Sequence, residues 1–238
     1  MTLGLFDPAF LGGLVTTPAG PTDPDFANVS LLLHGDGTNG STTILDSSPL
    51  SKAVTPYGNA QINTTVTDPF GRTGLGVIAF DGSGDSLSVP SSVDFDFGLD
   101  DFTLELWVRF NGVGSQQTIA SRFQTWTSLV QFLLILNSAS KIICWMGNGV
   151  PIVFSSTSTI AANTWYHIAI TCSSNTTRLF VNGQQEASSS VTASLASTQP
   201  LVIGGGSLNG YIDEFRITKG VARYTSNFPP PTTPFPDA

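Results

Sequence analysis

The stretch YIDEFRITKGVARYT, Tyr211 to Thr225, places two carboxylates side by side, Asp213 and Glu214. Hydrolysis of a glycosidic bond needs such a pair, about 5–5.5 Å apart for retention and about 6.5–9.5 Å for inversion. Two acids that cooperate from one strand stand at alternate positions, because successive side chains point to opposite faces. Asp213 and Glu214 are consecutive, so a regular strand sends them apart. The residues two places away are Tyr211 and Phe215 for Asp213, and Ile212 and Arg216 for Glu214, none of them acidic. A cross-strand pairing of either with Glu105 stays open, but no spacing points to it. The stretch is expected to catalyse nothing.

Other chemistries have less support. His34 and His167 belong to no nucleophile–base motif, and His167, in WYHIAIT, reads as a structural histidine of a core strand. GGGSLNG (Gly204–Gly210) lacks the lysine and the following helix of a phosphate loop, so it reads as a turn. Cys144 and Cys172 lie in the apolar runs KIICWM and HIAITC, and buried free thiols are favoured there over a disulfide. Sugar recognition sets an exposed aromatic beside polar groups. Trp126, in RFQTWTSL, has such neighbours. Trp107 is the weaker candidate because the second sheet is expected to cover it, and Trp145 and Trp165 read as core.

The elements that must position these residues are strands. Charged residues make up 11% of the 238, against about 25% in an average soluble domain. Glu and Lys occur three times each, so strong surface helix formers are scarce. Ser, Thr, Asn, Gln and Gly fill the polar positions instead. The net charge is −8 with no basic cluster, which argues against nucleic acid and against anionic membranes. No apolar run approaches the roughly 18 residues of a membrane span. The first basic residue is Lys52, so no secretory signal is expected.

In DFTLELWVRF, Phe102, Leu104, Leu106, Val108 and Phe110 share one face while Thr103, Glu105, Trp107 and Arg109 share the other. That alternation marks a strand with one face on the core. Ile168, Ile170 and Cys172 alternate likewise with His167, Ala169 and Thr171. Asn148-Gly149 and Asn182-Gly183 mark hairpins, because tight turns between twisted strands need positive φ. One domain with two tails is expected. Residues 1–28 form an N-terminal extended segment, 29–228 the sandwich, and 229–238 a Pro-rich C-terminal tail. The N-terminal segment is either a leader or an assembly arm that docks Leu5, Phe6, Phe10, Leu11 and Leu14 on its own domain or a neighbour.

Four blocks, in order, resemble the laminin-G-like (concanavalin A-like) jelly-roll family: FDGSGDSLSVP, DFTLELWVRF, NTWYHIAITCSSNTTRLFVNGQ and IGGGSLNGYIDEFRI. The resemblance implies an all-β fold of two antiparallel sheets, a jelly-roll sandwich with extended N- and C-terminal tails. It also implies a Ca²⁺ site in some members, for which Asp46, Asp81 and Asp213 are the matching positions; turn capping by these carboxylates is the favoured alternative. The opening SLLLHGDGTNGSTTILDSSP and the closing YIDEFRITKGVARYT are similar to the narrower set of such domains in tailed-phage structural proteins. The expectation is a non-enzymatic virion component, a capsid decoration or fibre-type part, made in the host cytoplasm. Its expected partners are other virion proteins and copies of itself. The alternative is a carbohydrate-binding module for host surface glycans, and the third reading is a glycanase.

Overall fold

The computed structural model describes residues 22–125, 128–147, 152–191 and 194–238. Among these the chain forms fifteen strands. They begin with β1 (Val29–Leu33), β2 (Thr55–Tyr57), β3 (Gln61–Asn63), β4 (Val77–Asp81) and β5 (Ser86–Val89). The middle of the chain gives β6 (Phe102–Phe110), β7 (Gln117–Thr125), β8 (Ser128–Leu136), β9 (Ile142–Met146) and β10 (Ile152–Ser155). The last five are β11 (Trp165–Ser173), β12 (Thr176–Val181), β13 (Gln184–Ser190), β14 (Leu201–Ile203) and β15 (Asn209–Lys219).

The strands form two antiparallel sheets packed face to face, the all-β jelly-roll sandwich expected from the sequence. The first runs β13-β12-β11-β6-β15-β4-β3, with β1 also on β15; the second runs β10-β9-β8-β7-β14-β5-β2. One long edge of β15 is shared: Asn209 to Ile212 pair with β4, and Phe215 to Thr218 pair with β1. The inner faces meet in one core, where Leu106 and Val108 of β6 and Leu134 and Leu136 of β8 are fully buried. Enclosing each such side chain stabilises the fold by roughly 1.5–3 kcal/mol. Cys144 and Cys172 are buried free thiols, and burial pushes both up from the usual thiol range. Asn182 and Gly183 both adopt positive φ between β12 and β13, as the hairpin signal requires. Asn148 and Gly149 lie outside the described residues.

Both tails lie against the domain where they are described. The sequence draws the N-terminal segment to Asn28, yet Asp23 is buried and its N–H donates to the Ala238 carbonyl at 2.6 Å. Residues 221–238 cross the outer face of the first sheet as a strap. Proline has no N–H to offer a ladder, so the strap is held by other contacts. Thr103 and Thr171 donate their hydroxyls to the carbonyls of Val221 and Tyr224. Tyr224 stacks on Phe228 with centroids 3.5 Å apart, and Phe235 packs beside Val29 and Leu32. The Pro-rich segment therefore docks on its own domain. The strap thereby covers Thr103 and Glu105 on the polar face of β6.

Candidate functional site

The outer face of the first sheet carries the polar side chains, and strand register sorts them into rows. One row aligns His167, Trp107 and Asp213. The next along β6 pairs Glu105 with Arg216. Between those two rows β15 holds two residues, Glu214 and Phe215, opposite the single Leu106, a β-bulge. Glu214 takes φ +52° there.

The bulge overturns the expected divergence of the two acids. Phe215 turns into the core, so Glu214 comes onto the outer face that Asp213 already occupies. There Glu214 meets His34 at 2.8 Å and accepts the Phe235 N–H at 2.8 Å. The extra residue changes the parity of the strand, which regular alternation could not foresee. Both acids are buried, at 0% and 1% exposure, so no polysaccharide reaches them. Burial, then the charges of Glu214, Asp36 and Asp68, push the Asp213 carboxyl well above the usual range.

Glu105 is the centre of a second enclosed group. It accepts from Arg216 Nη2 at 2.7 Å and Tyr224 OH at 2.9 Å, and His167 Nε2 lies 3.2 Å away. Arg216 and Arg223 also reach Asp23, at 3.1 and 2.7 Å, and the Phe235 ring covers Arg216 at 3.6 Å. Burial raises the cost of charging Glu105, but the Arg216 charge and the His167 contact outweigh it and hold the carboxyl at about 2. His167 is the structural histidine expected. Trp107 is buried as well, but by Phe70 of the loop before β4, edge-on at 6.0 Å, and not by the second sheet. These groups lock the strap down, and along its margin a pocket of about 210 Å³ remains, lined by Asp23, Arg216, Arg223, Tyr224 and Phe235.

The strap and that loop stop short of one end of the face. There a row across five strands runs Gln61, Ala79, Tyr211, Arg109 and Trp165. Beside it stand Asp81 and Asn209, paired across β4 and β15. The side chain of Asn111 donates to Asn209 Oδ1 at 2.9 Å. Small Ala79 leaves a dip in the row, and a cleft of about 210 Å³ opens here between Asn59, Gln61, Asp81, Asn209 and Tyr211. Its floor is fixed by Asp85, which is buried and accepts the N–H groups of Asn59 and Asp81 at 2.7 and 2.8 Å. Arg109 lies 5.5 Å from the Tyr211 ring centroid. Trp165 is half-exposed and donates Nε1–H to the Thr67 carbonyl at 2.9 Å. It is not the core residue expected from the sequence. Trp145 likewise stands on an outer face, that of the second sheet, beside Leu133, Ile135 and Ile143.

The remaining sequence candidates are scattered. Asp46 accepts the N–H groups of Leu32, Ser48 and Lys52 at 2.7–2.9 Å, the behaviour of a turn cap. Asp81 accepts the Ser83 N–H at 2.7 Å, and Asp213 is enclosed. Among the described residues no group of three His, Cys, Asp or Glu side chains is arranged to hold a metal ion. Trp126 and the arm residues Leu5, Phe6, Phe10, Leu11 and Leu14 lie outside the described residues. Sequence reasoning named Asp81, but missed the open cleft as a whole. Its members come from five separate strands and loops, and only the register unites them.

A jelly roll with a polar, aromatic-lined cleft on one sheet defines a lectin-like sandwich. Residues 81–223 match the laminin-G family described as the concanavalin A-like lectin/glucanases superfamily, and the chain belongs to that family. No curated protein matches in sequence. Among solved structures, the binding domain of Paraclostridial Mosquitocidal Protein 1 is similar at TM-score 0.66 and 19% identity, over 82% of this chain and 49% of that one. The binding domain of botulinum neurotoxin DC, solved in complex with SialylT, is similar at TM-score 0.62 and 16% identity, over 82% and 49%. A botulinum neurotoxin type C structure, described for cell entry dependent on two ganglioside molecules, is similar at TM-score 0.61 and 13% identity, over 83% and 49%. The chain thus spans about half the length of these proteins, and the likeness is one of fold.

Proposed function

We propose that this domain is a non-catalytic module that binds carbohydrate in the cleft beside Tyr211. The observation that carries the reading is the composition of the cleft at the end of the sheet face beyond the strap. Four amides (Asn59, Gln61, Asn111 and Asn209) each offer both donor and acceptor atoms. Sugar hydroxyls need both. Tyr211 and Trp165 present aromatic surface on which the C–H face of a pyranose packs. Few convergent polar groups around an aromatic wall are what a ligand site requires. The similar folds of toxin binding domains, one in complex with SialylT and one tied to gangliosides, support the same reading. The enclosure of Asp213 and Glu214 supports the absence of hydrolysis.

The test is a glycan array probed with the full chain, followed by calorimetry on the best ligands with Tyr211→Ala and Asn209→Ala. Both variants are expected to keep the melting temperature and to weaken binding about tenfold or more. An array without hits, or hits that both variants retain, would refute the cleft.

A virion appendage carrying this module is the second reading. It is supported by the opening and closing sequence blocks that are similar to tailed-phage structural domains. Those two blocks are partners in the fold, as β1 and β15. Mass spectrometry of purified particles tests it, and absence of the chain from them would exclude it.

A further inference from the structure

Resting on that carbohydrate reading, we infer that the cleft selects sugars bearing a carboxylate, and that Arg109 is the residue that selects them. The chain has nine basic residues and seventeen acids, and Arg109 is the cation that stands beside the cleft without a carboxylate partner among the described residues. Lys52, Arg72, Arg122, Arg216 and Arg223 are each paired with a carboxylate. Lys141, Arg178 and Lys219 lie away from the cleft and donate to backbone carbonyls.

Arg109 has no carboxylate partner among the described residues. One Nη2–H goes to Asn163 Oδ1 at 3.2 Å, and the guanidinium lies against the Tyr211 ring. That leaves most of its five donors unused. Arg109 stands between Tyr211 and Trp165 in the register of the half-exposed row. A planar, preoriented fork matches a carboxylate through two parallel hydrogen bonds. Asp81 and Asp85 line the adjoining cleft, with their carboxylates turned to backbone donors. Both oxygens of Asp85 accept backbone N–H groups, and Asp81, one row away, accepts the Ser83 N–H. A pyranose lying on Tyr211 can set its carboxylate on Arg109 and its hydroxyls against Asn209 and Gln61.

Two sources supply that chemistry, sialylated glycans and uronic-acid oligosaccharides. Calorimetry with each, beside the same oligosaccharide with its carboxyl reduced to the alcohol, separates the sources and isolates the charge. The full chain is expected to prefer one or both carboxylated forms by about tenfold or more, less so in high salt. Arg109→Gln should bring the ratio close to one. Arg109→Lys should keep part of the preference, and Tyr211→Ala should weaken both forms. If the reduced forms bind as well as the carboxylated ones, or if the preference survives Arg109→Gln, the assignment of Arg109 falls while the carbohydrate reading stands. If neither form binds and the array holds no other ligand, both fall together.

Discussion

Nδ1 of His34 lies 2.8 Å from Oε1 of Glu214, joining the chain just beyond β1 to the bulge of β15. The other ring nitrogen, Nε2, lies 2.6 Å from Asp237 Oδ1. A neutral imidazole carries one N–H, so only the imidazolium donates to both carboxylates. The ring is therefore a charged clasp between the sheet and the last residues of the strap.

The clasp sets a pH dependence. Burial opposes the charge on His34, but the hydrogen bonds and attraction of Glu214 and Asp237 outweigh it and raise the group from 6.5 to about 9. Asp36 and Arg72 also face this region. A raised folded-state pKa means that the stabilisation is complete below about pH 6.5 and disappears as pH rises through 9. Its size is at most on the order of 3 kcal/mol, given 1.36 kcal/mol per pKa unit. The expected result is a melting temperature that falls between pH 7 and 10, with faster amide exchange in residues 229–238. His34→Gln should flatten that fall. A wild-type melt unchanged across this window would remove the clasp.

Glu105 sets a limit at the acid side. Its carboxyl is held at about 2, below the usual 4.5. Its contribution is therefore present above about pH 4.5 and is lost as pH falls toward 2. Removing one member of a buried, hydrogen-bonded charge group leaves the others uncompensated and costs about 3–5 kcal/mol. Glu105→Gln should lower the melting temperature strongly and expose Tyr224 to quenchers as the strap loosens. Glu105→Leu together with Arg216→Met, which removes both charges, should be less damaging than Glu105→Gln alone.

Much of this fold is legible residue by residue. The inward set Phe102, Leu104, Leu106, Val108 and Phe110 follows from strict alternation, and the β12–β13 turn follows from Asn182-Gly183. Where the sequence misleads, distant segments decide. Glu214, at positive φ in the bulge, has its carboxylate bound by His34 and Phe235, 180 and 21 residues away. No local pattern announces that bulge. The outer face of β6 is polar in sequence, and the strap together with the loop before β4 makes it interior. The row of Gln61, Tyr211, Arg109 and Trp165 exists only through the pairing of five strands.

The N-terminal boundary yields a stability test. Asp23 bonds both Arg216 and Arg223 and touches the chain end at Ala238. Deleting residues 1–21 keeps all of these contacts, whereas deleting 1–28 removes them. The shorter deletion should retain the parent melting temperature, and the longer one should lower it by several degrees. If Leu5, Phe6, Phe10, Leu11 and Leu14 form a docking arm, the shorter deletion should also impair self-association or incorporation into particles. Full incorporation would discard the arm.

Glu214→Gln separates structure from catalysis. Had this carboxylate been a catalytic group, the variant would lose turnover while keeping its fold. Its surroundings argue the reverse, because Oε1 holds the His34 ring and Oε2 accepts the Phe235 N–H. The amide supplies one acceptor oxygen where two are used and removes the charge that keeps His34 protonated. A hydrogen bond to a charged group contributes about 1.5–3 kcal/mol, so the melting temperature should drop by several degrees. The same change should shift the alkaline transition of the strap toward lower pH, because His34 loses its buried anionic partner. Glycan binding at the Tyr211 cleft should stay at the parent level, since Glu214 lies under the strap and outside that cleft. Reducing-end assays on polysaccharides should read zero for the parent and the variant alike. Hydrolysis by the parent that Glu214→Gln abolishes, with the melt unchanged, would reverse the assignment and make the buried pair an active site.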